Sequence, residues 1–62
     1  MTIRHQIRCD VLAAIADVPL TSEQLSRRLQ HKLTVIQTAV RDLKMEGIIE
    51  ETIAGWDYAQ GG

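Results

Sequence analysis

Apolar residues recur at helical spacing along three stretches of the chain and then change to alternation. Ile7, Val11, Leu12 and Ile15, with Ala14 beside them, share one side of a helix predicted over residues 2–17. Thr2 is a suitable N-cap. Val18-Pro19 closes the segment, because a residue before proline avoids the α region. Thr21 followed by Gln24 has the form of a capping box, with Leu20 and Leu25 at the positions of a hydrophobic staple. A second helix is therefore predicted over 22–30, with Leu25 and Leu29 inward and Arg27 and Arg28 pointing elsewhere. On a helical wheel the third segment, 33–46, groups Ile36, Ala39, Val40 and Leu43 on one side. Thr34, Thr38, Arg41 and Met45 fall opposite them, with Gln37 at the edge. Gly47 follows as the expected left-handed C′ residue.

Beyond Gly47 the pattern is that of two short strands over 48–59, Ile48–Ile53 and Trp56–Ala59, joined by Ala54-Gly55. This register sets Ile53 opposite Trp56 and Glu51 opposite Tyr58. It gives Ile49, Ile53, Trp56 and Tyr58 a common face that caps the core. Residues 60–62 are expected to fray. The predicted fold class is mostly α (α+β): one domain of three helices and a short two-stranded β-hairpin.

Composition narrows what such a domain can do. At 62 residues the core is small, and net stability should be about 3–5 kcal/mol without a staple. One cysteine allows no intrachain disulfide, and no Cys/His cluster has metal spacing, so neither metal nor cofactor is expected. Cys9 lies near His5 and Ala16, away from the apolar stripe, as an inert small residue. With 45% apolar and 24% charged residues the chain is of globular type. It has no run long enough to span a membrane and no secretory pattern at its start, so a reduced, cytoplasmic setting is the expectation. An enzyme is not expected. There is no Ser/His/Asp set and no phosphate-cradling loop. Glu50 and Glu51, as strand neighbours, face opposite ways.

Charge is unevenly placed. The net charge is -1, but residues 21–46 carry +2 and residues 47–62 carry -3. The helical middle is basic and the hairpin acidic.

Three features occur together: Leu20-Thr21-Ser22-Glu23-Gln24-Leu25-Ser26-Arg27-Arg28-Leu29, then Ile36, Ala39-Val40 and Leu43, then Glu46-Gly47-Ile48-Ile49-Glu50. With the order helix, helix, helix, hairpin, this resembles the winged helix-turn-helix family over about residues 3–59. Many members are small bacterial transcription regulators. Gln30 stands where the family usually has a glycine, and His31, a half-buried turn residue, where an apolar one is common. The resemblance implies a third helix in the DNA major groove, with Thr34, Gln37, Thr38 and Arg41 facing bases and Leu33 at the entering end. Arg27, Arg28, Lys32 and Lys44 would contact phosphate. The residue chemistry fits those roles. Gln pairs with an adenine edge, Arg with a guanine edge, and a Thr methyl packs on thymine, while phosphate contacts position without specifying.

The expected partner is double-stranded DNA, bound by a transcriptional regulator that forms a homodimer. The alternative is a winged-helix adaptor or inhibitor that docks on a protein through the acidic wing (Glu50, Glu51, Trp56, Asp57) or through Met45, an apolar residue on the outer face. The wing's carboxylates would be repelled by phosphate. It therefore points away from DNA or serves another surface.

Overall fold

The computed structural model of the chain describes residues 3–60. The elements run α1 (Ile3–Ile15), α2 (Ser22–Leu29), α3 (Leu33–Met45), β1 (Ile49–Thr52) and β2 (Gly55–Tyr58). Three helices followed by one antiparallel hairpin is the mostly α, winged three-helix architecture that the periodicity predicts. Thr2, expected as a cap, and Gly61 and Gly62, expected to fray, lie outside the described residues. Among the described residues no helix is long and apolar enough to cross a membrane.

Helix ends follow their local chemistry. α1 stops at Ile15, two residues before the predicted end. Its last turn tightens, with Ala16 N–H reaching Ala13 C=O at 3.4 Å, and the chain must then extend through Pro19. The capping box of α2 forms in full: Gln24 N–H donates to Thr21 Oγ1 at 3.1 Å, and Thr21 N–H donates to Gln24 Oε1 at 2.9 Å. α3 closes at Gly47 (φ 80°) in a Schellman arrangement, with Gly47 N–H to Lys44 C=O at 2.9 Å and Ile48 N–H to Leu43 C=O at 3.0 Å.

The core is wholly apolar. It consists of Ile7, Val11 and Ile15 from α1, Leu25 from α2, Ile36, Ala39, Val40 and Leu43 from α3, and Leu20, Ile49 and Trp56 from the wing side. Leu12, Ala14, Leu29 and Val35 pack at its margin. Each large side chain so buried contributes roughly 1.5–3 kcal/mol. Trp56, 8% exposed, satisfies its indole N–H by donating to Ser22 Oγ at 2.9 Å, which couples the wing to the first turn of α2.

The hairpin differs from its predicted register. Ile49 pairs with Tyr58, Glu50 with Asp57, Glu51 with Trp56 and Thr52 with Gly55, so the loop is Ile53-Ala54 rather than Ala54-Gly55. The cause is a third strand one residue long. Leu20 bridges Trp56 on the far side of β2, with Trp56 N–H donating to Leu20 C=O at 2.6 Å and Leu20 N–H to Trp56 C=O at 3.2 Å. That bridge drives the backbone at Gly55 (φ 132°) against the Leu20–Thr21 peptide. A Cβ there would lie 2.7 Å from both Leu20 O and Thr21 N and nearer still to the Leu20 carbonyl carbon. The glycine is consumed by this close approach, and the turn falls one residue earlier. Pairing thus shifts by two, which keeps Ile49, Trp56 and Tyr58 on one face. Ile53 drops out of that face into the loop, fully exposed. Tyr58 is half out of the core, held at its edge by its hydroxyl donating to Leu12 C=O at 2.6 Å.

The two constrained glycines should therefore respond differently to alanine. At Gly55 the new methyl meets backbone that cannot yield, and the cost should exceed a stability of about 3–5 kcal/mol. At Gly47 no atom lies within 4 Å of the added Cβ, so only the left-handed penalty applies, about 1 kcal/mol. Urea unfolding followed by Trp56 fluorescence should show Gly47→Ala folded with a lowered midpoint and Gly55→Ala largely unfolded in buffer.

Candidate nucleic-acid interface

α3 is packed along one side only. Ile36 and Leu43 are completely buried and Ala39 and Val40 nearly so, whereas Thr34, Gln37, Thr38, Arg41, Lys44 and Met45 are all exposed. The third helix thus presents the polar strip that its sequence predicts. Leu33, expected at the entering end, is half-buried in the first turn. Thr38 donates its hydroxyl to Thr34 C=O at 3.0 Å, which satisfies its polar atom on the helix itself and leaves the methyl for contacts.

Five cations lie on or near this strip. Arg27 and Arg28 lie in the last turn of α2, Lys32 caps α3, and Arg41 and Lys44 lie along α3. All five are exposed, and among the described residues none is paired with a carboxylate. They are five of the seven Lys and Arg in a chain with eight carboxylates, so their lack of partners is not for want of acids.

The turn between α2 and α3 sets how the two helices meet. Gln30 adopts the left-handed conformation (φ 58°, ψ 41°) that a glycine would hold more easily. The exit is then locked from both sides, with His31 N–H donating to Ser26 C=O at 3.1 Å and Ser26 Oγ donating to His31 C=O at 2.5 Å. The half-buried His31 ring approaches Asp10 of α1 at 3.9 Å.

At the other end of α3, Arg8 of α1 forks onto Glu46 with bonds of 2.7 and 2.5 Å. The Arg8 hydrogen bond holds the Glu46 carboxyl below its ordinary 4.5, and the same bond raises the guanidinium above its own usual value. No sequence pattern announces this pair, because its members lie 38 residues apart. Cys9 is exposed, 3.8 Å from His5 Nε2 on the outer side of α1.

The wing supplies no positive charge. Glu50 and Asp57 face each other directly across the strands, an unfavourable like-charge pair, and Glu51 is exposed beside them. Trp56, grouped with these carboxylates as a surface for a protein partner, belongs instead to the core. Of that surface Glu50, Glu51 and the half-buried Asp57 remain for contact, with the loop residue Ile53 beside them. Among the described residues no group of His, Cys, Asp and Glu could hold a metal ion. Comparison with family models, curated proteins and solved structures finds no match to the chain.

Two outcomes test this geometry. Gln30→Gly should raise stability by about 0.5 kcal/mol, since relief of the left-handed penalty exceeds the entropy that glycine adds to the unfolded chain, and a urea midpoint shifted upward would show it. For Glu46, a folded pKa below 4.5 means stabilisation that is present above pH 4.5 and is lost as pH falls through the folded value. Wild type should therefore exceed Glu46→Gln in stability near neutral pH, and the two should converge in acid, as read from thermal midpoints across the pH range.

Proposed function

We propose that the chain is a sequence-specific DNA-binding regulator of transcription, with α3 in the major groove. The observation that supports this most is the polar strip Thr34, Gln37, Thr38 and Arg41, exposed above a fully packed apolar underside, with four further uncommitted cations on α2 and α3. Arg41 and Gln37 are the base-reading side chains, with the Thr34 and Thr38 methyls against thymine. Arg27, Arg28, Lys32 and Lys44 hold the phosphates. The wing, with three carboxylates and no cation, is turned from the backbone. A single module covers only roughly 600–1,000 Å² of DNA, so useful affinity requires a homodimer on half-sites about 10 bp apart.

A second reading, a protein-docking module, draws support from two exposed apolar side chains, Met45 at 77% and Ile53 at the wing tip beside Glu50 and Glu51. An NMR perturbation map separates the two, because DNA moves α3 and Lys32 while a protein partner moves the wing.

The direct test is anisotropy with a duplex selected from a random pool. Affinity should fall linearly with the logarithm of salt concentration. Arg41→Ala should cost about 1–3 kcal/mol at the selected site and relax its sequence preference. Lys32→Ala should weaken binding to all sequences alike and reduce the salt slope by about 1. Failure to select any duplex, or affinity indifferent to salt, would overturn the DNA reading.

A further inference from the structure

Beside the polar strip, α1 and α3 leave a cleft of about 320 Å³ lined by Ile7, Thr34, Val35, Thr38, Ala39 and Asp42. Its walls are mostly apolar, and its volume falls in the range of small-molecule sites. Among the described residues one charged group lines it. Asp42 is half-buried, and among the described residues its carboxylate takes part in no hydrogen bond or ion pair. The nearby cation is already engaged, since Arg8 spends both arms of its fork on Glu46 and feels Asp42 only as a further charge. Arg8 and Glu46 cancel, so the trio leaves one net negative charge at the cleft. A half-buried carboxylate with no hydrogen bond or ion pair among the described residues has lost part of its hydration without direct replacement, and a cation that brings apolar surface with it would restore a partner and cover the apolar walls at once.

We propose that this cleft binds a small hydrophobic ammonium compound. The ammonium pairs with Asp42, the hydrocarbon lies against Ile7, Val35 and Ala39, and the Thr34 hydroxyl is within the same site. The occupant would share Thr34 and Thr38 with the face assigned to DNA, so it acts as an effector that competes with the duplex. This second step rests on the DNA-binding reading; the binding site itself does not.

The test begins without DNA. 2-Phenylethylammonium is titrated into the whole chain, followed by amide and methyl NMR, with neutral 2-phenylethanol as a probe of matching size. Saturable shifts confined to Ile7, Val35, Ala39 and Asp42 are expected. Affinity should be about tenfold weaker both for the alcohol and for the ammonium on Asp42→Asn, the usual worth of a charge-assisted bond. The alcohol control on the native chain needs no variant, so a fold defect in Asp42→Asn cannot decide the result. Equal binding of both probes, or no saturable shift at these residues, would overturn the site. In the second stage the ammonium compound should raise the apparent dissociation constant for the selected duplex. Binding in the cleft with an unchanged DNA affinity would overturn the competition while leaving the site. Binding in the cleft by a chain that selects no duplex would uphold the site and count against the DNA reading alone.

Discussion

Two short helices and a hairpin can cover a third helix only in part, and that limit governs α3. α1 and α2 both pack on its Ile36–Ala39–Val40–Leu43 side, and the hairpin is taken up with Leu20 and the first turn of α2. Among the described residues no further element covers the other flank. In a larger domain an amphipathic helix is often boxed in by further elements. Here none of the described elements does so, and the strip stays exposed.

Helical periodicity and capping made most of this legible. The Ile36/Ala39/Val40/Leu43 stripe, the Thr21–Gln24 box and the Gly47 exit are local signals with one physical meaning each, and each forms as its residues dictate. The hairpin was harder because a glycine between two strands has two explanations. It can supply a turn conformation or it can admit another backbone. Ala54-Gly55 fits the first and the structure uses the second. The deciding neighbour, the Leu20–Thr21 peptide, lies far back in the chain and leaves no trace in the wing's own alternation. A strand one residue long has no period to detect.

The candidate site was legible to a similar depth. Exposure of Thr34, Gln37, Thr38 and Arg41 follows from the wheel once the apolar side is known. What the wheel does not give is which charges are spent. Arg8 is consumed by Glu46 at the far end of α3, whereas Arg27, Arg28, Lys32, Arg41 and Lys44 are not consumed at all. Composition counts these six alike. The same accounting singles out Asp42, which reads in sequence as one more helix carboxylate and differs only in what surrounds it.

Charge arrangement then shapes how α3 could work on a duplex. Each phosphate neutralised contributes to a salt-dependent, sequence-blind attraction, and five unpaired cations on a chain of net charge -1 make that attraction modest. The Glu50–Asp57 pair and Glu51 subtract from it whenever the wing approaches a backbone within about a Debye length, roughly 8–10 Å. On the proposed DNA-binding role, nonspecific affinity would therefore be weak. A protein so arranged has to gain its hold from base edges and from a second copy, and it would be released early from sequences that offer neither. On that role the carboxylates of the wing would oppose affinity and favour discrimination, which would reconcile an acidic hairpin with a basic reading helix in one small fold.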